Sequence, residues 1–368
     1  QEAWRIEMEV LRVVIDMERE GCPINAEGFR ALHSELDFRL RQLEKQVEEA
    51  NGGPINLNAD REVGALVYDK RGYECTVFTP KAKERSVAQA ALETFRKKDP
   101  IVAAILEWFE IHKVFSTYIN NNIDNVERDG KIYGEFDQMG ARTGRFSSRN
   151  PNLQNIPVRR GKQVRSLFEA PPGYKLVVAD YSQVELRILA HFTEDPNLMA
   201  AYNEGLDLHA LTARKAYRIP DDQEVPSIKR SLAKNVNFSM AFGATAYTLM
   251  NRYEVKTEKE ANALIDGFYS AYKKVKPWQD KTLRDCRATY QRKDGGKPYV
   301  APFVRTYSGR KRRLPEILWP NNGETGKKRR GAERQAINTR IQGTAADLVK
   351  LAMIEVHRTL EPDMKLIL

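Results

Sequence analysis

The chain has 368 residues, of which 41% are hydrophobic and 30% charged, with a net charge of +10, enough for two or three units that each bury a core. No apolar run approaches the roughly 20 residues of a membrane-spanning helix, and the charged amphipathic opening Gln1–Glu18 lacks the layout of a secretory signal, so a cytosolic address without membrane contact is expected. Cys22, Cys75 and Cys286 lie far apart without CxxC spacing, and the five histidines are scattered, which argues against a disulfide framework or a zinc site.

In chain order, apolar residues recur with helical period from about Ala26 to Val126, most clearly over Phe29–Glu49 and Ile101–Tyr118. Between those two helices lies a basic polar segment, Thr79–Arg85, with Lys81, Lys83 and Arg85. Such a segment suits contact with a nucleic-acid backbone, and a solvated loop equally well. After Lys131 the texture shifts to short strands and loops rich in Gly, Ser, Asn and Pro, including TGRFSSRNPNLQNIP from Thr143 to Pro157.

The next segment reads YKLVVADYSQVELR, in which the apolar run Leu176–Ala179 predicts a strand that delivers Asp180 to a cleft. Mg²⁺ takes one or two protein carboxylates together with substrate phosphates, so a strand-end aspartate suits it. An aspartate that only caps the following helix is the plain alternative.

Helical patterning resumes from about Pro196 to Arg292. It includes DLHALTA from Asp207 to Ala213 and KRSLAKNVNFSMAFG, where Arg230, Lys234, Phe238 and Phe242 are spaced four apart. At 1.5 Å rise per residue each step is about 6 Å, so one helix stripe offers two cations and then aromatic surface. A nucleoside triphosphate presents phosphates, sugar and base in that order, and Arg and Lys suit phosphate oxygens. The same pattern also fits an amphipathic helix that buries its two rings and leaves its cations in water.

Between Arg305 and Arg334 stand ten cations, Arg310 and Arg312 among them, against Glu316, Glu324 and Glu333. A field this concentrated favours a polyanion in a salt-dependent way. A last helix is predicted from Glu333 to Leu360, within which AERQAINTRIQGTAADLVK carries Arg334, Asn338 and Gln342. Together with Arg145, these donors suit the acceptors that every base pair shows in the minor groove. The apolar stretch Met364–Leu368 reads as a strand just starting, and an unpartnered strand implies a pairing segment elsewhere.

Taken together and in this order, DYSQVELR, KRSLAKNVNF, TGRFSSRNPNLQNIPVR, TYSGRKRRLP and INTRIQGTAAD closely resemble the polymerase region of the family A DNA polymerases. The resemblance spans nearly the whole chain. It implies an α+β right-hand polymerase fold with helical fingers and thumb and an antiparallel palm sheet. The expected divisions are a lead-in over 1–25, a thumb over 26–128, palm over 129–200, fingers and basic loop over 201–334, and palm from 335 to 368. That last palm portion stops before the family's second catalytic carboxylate.

The resemblance further implies template-directed DNA synthesis on a primer-template with dNTP, by a two-metal mechanism using Mg²⁺, for which Mn²⁺ can substitute. Asp180 and the Tyr181 carbonyl would hold the metals. Arg230, Lys234 and His209 would bind the triphosphate, with Gln183, Phe238 and Phe242 lining the nucleotide and Glu185 crowding the sugar 2′ position. DNA contacts would come from Arg145, Asn155, Arg159, Arg334, Asn338 and Gln342, with Lys81, Lys83, Arg310 and Arg312 as backbone contacts.

Two departures from the family pattern stand out. Phe242 occupies the place of a tyrosine whose hydroxyl bonds the sugar-gating glutamate, and the turn with the second metal-binding aspartate is absent. That aspartate is therefore expected on a missing C-terminal segment or on a partner fragment, with truncation, a split gene and an interrupting element all left open, and no exonuclease carboxylate set is visible. The rival readings are a non-catalytic module that binds primer-template and nucleotide, and a single-subunit RNA polymerase, which usually has Gly in place of Glu185.

Overall fold

The computed structural model describes residues 2–79, 83–157, 161–253, 255–292 and 298–367. Helices dominate, and local capping chemistry sets where several begin. Asn25 accepts a hydrogen bond from the Gly28 N–H at 2.7 Å and opens the Ala26–Asn51 helix, which closes on Gly52 in the left-handed region at φ 78°. Asp99 caps the Pro100–Val114 helix through the Ile101 N–H at 2.8 Å, with Pro100 in the first turn. Buried Asp99 is also gripped by the Arg71 guanidinium. Asp207 caps Leu208–Tyr217 through the His209 and Ala210 N–H groups.

The chain divides into two compact units. One comprises Asp16–Phe136, Ser148–Val178 and Lys365–Leu368. Its core joins Leu40, Leu43 and Val47 to Leu66, Leu92, Ile105 and Trp108, and Cys22–Pro23 pairs antiparallel with Lys131–Ile132.

The other unit comprises Gln1–Ile15, Asp137–Ser147 and Ala179–Met364. Its core gathers apolar faces of the helices Val184–Thr193, Leu208–Tyr217, Ser227–Ala241 and Glu258–Ala271 around Leu189, Val236, Met240, Leu264 and Phe268. A hairpin pairs Phe303 with Arg313, Val304 with Arg312 and Arg305 with Lys311.

Several expected elements differ. The fold is α+β, but the described ladders are each two-stranded. The expected strand Leu176–Ala179 takes no regular secondary structure and has no ladder partner among the described residues, and Val177 and Val178 are each 91% exposed. A continuous apolar run with β-branched residues favours a strand, but a strand needs a neighbour to hydrogen-bond. Residues 365–367 are likewise not a strand. The expected helix Ile101–Tyr118 gives way after Val114 to a π-helical turn, Phe115–Ile119. The expected helix from Glu333 is two, Gly323–Asn338 and Thr344–Thr359, joined by a π-helical turn at Thr339–Gly343, a feature common at functional sites.

Candidate functional site

The backbone from Tyr174 to Ser182 is exposed, and Gln183 turns it at φ 53° into the Val184–Thr193 helix. Asp180 therefore stands free in solvent at the end of this approach. It lines an open pocket of about 760 Å³ with Tyr181, Arg187, His191, Tyr307 and Asp347. The turn is fastened from behind. Arg187 Nε donates to the Ser182 carbonyl at 3.0 Å and its guanidinium lies 4.5 Å from the Tyr202 ring centroid, while the Tyr202 hydroxyl donates to Gln183 Oε1 at 3.1 Å.

Asp347 is the second carboxylate of the pocket, but its oxygens are committed. Arg310 donates to Oδ1 through Nε at 2.8 Å and Nη2 at 2.6 Å, while the Thr306 and Ser308 hydroxyls donate to Oδ2. No group of three or more His, Cys, Asp or Glu side chains suited to a metal occurs among the described residues. The oxygen donors at hand are Asp180 and the Tyr181 carbonyl, which fits Mg²⁺ only as part of a shell that substrate phosphates and a further carboxylate complete.

Arg230 and Lys234 are exposed on the Ser227–Ala241 helix and Phe238 is half-buried one turn further on. The expected four-residue stripe is corrected at its end: Phe242 lies past the helix, at φ −101° and ψ 13°. Arg230 Nε donates to Asp207 Oδ2 at 2.6 Å, so the phosphate-binding candidate begins tied to a helix cap. Burial opposes ionisation of Asp207, but the Arg230 bond and the backbone donors outweigh it and hold the carboxyl below its usual range. Buried His209, beside Asp207, has its ring centroid 6.3 Å from that of Phe238. Burial depresses its titration, and the Arg230 and Lys234 cations add to that against the pull of Asp207.

Glu185 is half-buried in the first turn of the Val184–Thr193 helix, where Arg145 Nη2 donates to its Oε1. Burial raises its carboxyl above the usual range and Arg145 opposes the rise. Phe242 meets Asn338 through its backbone: in its satisfied orientation the Asn338 amide donates to the Phe242 carbonyl at 3.2 Å and the Arg334 carbonyl at 3.3 Å. Arg334 is exposed, and Gln342 is half-buried in the π-helical turn.

The loop that bears Arg145 rests on a buried charge network that sequence reasoning missed. Arg310 bridges Asp347 and Glu7, and Lys350, 1% exposed, donates to Glu7 Oε1 at 2.6 Å and the Gln138 carbonyl at 3.0 Å. Gly144, at φ 85°, approaches so closely that a Cβ there would lie 2.7 Å from Arg310 Nε. At Gly343 a Cβ would lie 2.5 Å from Thr306 Cγ2. Both glycines let backbone meet the network.

Arg310 is thereby removed from the expected DNA contacts, because its donors serve buried carboxylates. Arg312 is half-buried and donates to Thr339 at 3.2 Å and Gln335 at 2.7 Å. Asn155 and Lys83 are exposed in the other unit, and Lys81 and Arg159 lie outside the described residues. A buried Asp or Lys has no signature in sequence that separates it from a surface one. The only hint was that Asp347 and Lys350 fall three apart in an otherwise apolar helix, AADLVKLAMI.

The family model "DNA polymerase family A" matches residues 26–368. The chain is 36% identical over 363 residues to DNA polymerase I of Chloroflexus aurantiacus, covering 97% of this chain and 36% of that protein. To the thermostable DNA polymerase I of Thermus aquaticus it is 36% identical over 359 residues, covering 97% of this chain and 41% of the other. Among solved structures, the POL domain of Pol1 from M. smegmatis, in complex with DNA primer-template and dNTP, superposes with a TM-score of 0.75 at 30% identity, covering 96% of this chain and 59% of that one. The right-hand polymerase fold is thus shared, and the chain spans about two fifths of the length of the curated relatives. The chain belongs to DNA polymerase family A.

Proposed function

We propose that this chain carries the fingers, the thumb and most of the palm of a template-directed DNA polymerase, with primer-template DNA and dNTP as partners, acting in the cytoplasm of a bacterial cell or phage-infected host. The observation that carries this reading is the exposed pair Arg230 and Lys234, one helical turn apart, with His209 beside them and Phe238 one turn on. Two cations at that spacing match a triphosphate, and the ring offers the sugar a flat apolar wall. The M. smegmatis relative was solved with both ligands, which supports the same pairing here.

Asp180 and the Tyr181 carbonyl would hold Mg²⁺, or Mn²⁺ in its place. When bound, a two-metal site lowers the pKa of the attacking hydroxyl and stabilises the leaving oxygen. The chain's own part is positioning. Arg230 exchanges Asp207 for phosphate oxygens, Lys234 adds a point charge, and Glu185 excludes a ribose 2′-hydroxyl by occupying its place. Arg145, Arg334, Asn338 and Gln342 contact primer and template on the minor-groove side, with Arg312, Asn155 and Lys83 as further contacts.

A segment carrying a second aspartate completes the metal site, because Asp347 is not free to serve. Primer extension with Mg²⁺ tests this, using the chain alone and the chain supplied with the downstream family segment. Incorporation is expected only with the segment. Vigorous synthesis by the chain alone would overturn that requirement. That Asp180 is the one uncommitted carboxylate among the described residues lining the pocket favours a second reading, in which the chain by itself binds primer-template and nucleotide without turnover. A Glu185→Ala variant of the complemented enzyme should admit ribonucleotides more readily, and unchanged sugar selectivity would remove Glu185 from the gate.

A further inference from the structure

Asn237 is 2% exposed and belongs to the same helix as Arg230 and Lys234, yet it faces inward, toward the start of the Leu208–Tyr217 helix. Its amide nitrogen lies 3.2 Å from the Leu208 carbonyl and 3.0 Å from His209 Nδ1, and its oxygen accepts from the Thr212 hydroxyl at 2.8 Å. The Leu208 carbonyl, which also receives the Tyr272 hydroxyl at 2.7 Å, can only accept. The amide atom facing it must therefore be the nitrogen, since the reverse orientation would press two acceptors together. With the nitrogen so fixed, its second N–H points at His209 Nδ1, and that ring atom must offer a lone pair.

We propose that Asn237 is a positioning residue that holds His209 as a neutral imidazole with its single proton on Nε2, leaving that N–H to donate to a phosphate oxygen. This rests on the reading that Arg230 and Lys234 grip a triphosphate. A histidine protonated at both nitrogens would set N–H against N–H at Nδ1 in a buried site, where an unmatched donor is costly. The charged groups acting on the ring are Asp207 on its own helix and Arg230 and Lys234 on the facing one. Asp207 is itself bound to Arg230, so the local balance also disfavours a third cation. A neutral donor keeps the triphosphate from being held too tightly for release and leaves its capture independent of the histidine's ordinary titration.

The test is long-range proton–nitrogen correlation on the chain labelled with [15N]histidine, with the His209 signals identified by their loss in His209→Gln. The expected result is a lone-pair-type Nδ1 and a protonated-type Nε2, unchanged from about pH 7.5 to about pH 5.5, across the usual histidine range. A proton on Nδ1, or a normal titration, would overturn the proposal. Asn237→Leu removes the donor and should give mixed tautomers; retention of the single tautomer would count against Asn237.

Asn237→Asp should let Nδ1–H donate to the carboxylate and give tripolyphosphate binding a pH step of up to about tenfold per unit. A flat profile in a folded variant would oppose the proposal. If the variant does not fold, the wild-type spectrum decides. Failure of tripolyphosphate to bind wild type, with the tautomer as stated, would sink the triphosphate reading and leave the Asn237 lock standing.

Discussion

The guanidinium of Arg145 is paired with the carboxylate of Glu185, so the side chain expected at the primer is bound to the one expected to crowd the sugar. Glu185 is held above its usual 4.5 by burial, with Arg145 opposing. A carboxyl raised on folding binds more protons folded than unfolded, so its favourable contribution is complete below about pH 4.5 and is lost as pH rises through the folded value. Arg145→Ala removes the opposing charge and should raise the Glu185 titration further, so the variant loses more stability than wild type as pH climbs from 4.5. Carboxyl NMR titration and urea unfolding at several pH values check both parts; an unmoved titration would remove the pair from the account.

Arg310→Met should be strongly destabilising. It strips the partner from buried Asp347 and from Glu7, and breaking such a pair costs about 3–5 kcal/mol. Below the unfolding transition, the salt slope of duplex binding should stay the same, whereas loss of a phosphate contact would reduce it by about 0.9. Urea denaturation and salt titration read the two effects separately.

Gly144→Ala and Gly309→Ala form a matched pair. Both glycines sit in the left-handed region, at φ 85° and 88°, but a Cβ at Gly144 meets Arg310 while one at Gly309 meets nothing within 4 Å. Gly309→Ala should cost about 1 kcal/mol from backbone strain alone. Gly144→Ala should cost roughly 1–3 kcal/mol more because the charge network must shift, and should disturb Arg145. Thermal unfolding of the two variants measures the difference.

Asp207→Asn should retain the helix cap, since an amide oxygen accepts from the His209 and Ala210 N–H groups as a carboxylate does. It removes the ion pair with Arg230, whose partners are about half-exposed, so stability should change by less than about 1 kcal/mol. Freed of its internal partner, Arg230 should bind tripolyphosphate more tightly. Calorimetric titration showing weaker binding in a folded variant would contradict Arg230 as a phosphate ligand.

The cationic stripe could be read from sequence because helical spacing alone places Arg230, Lys234 and Phe238 on one face. Asp180 was legible as a presented carboxylate but not as the end of an unpaired run, because pairing depends on a neighbour that local pattern does not name. Arg310 misled for a related reason: TYSGRKRRLP is a dense run of cations, and only folding reveals that one of them turns inward to Asp347. Glu7 and Lys350, 343 positions apart, meet through tertiary packing alone. Asn237 was visible only as the neighbour of Phe238. Its inward aim follows from a helix whose other face must stay open to solvent.

Val177 and Val178 carry a practical consequence. Two β-branched side chains almost wholly bathed in water, on backbone without a ladder partner among the described residues, offer a place where an extended chain can pair. A strand laid alongside silences it. Left bare, it invites identical copies to stack, so light scattering from the isolated polypeptide should climb with concentration and subside when a lysine replaces either valine.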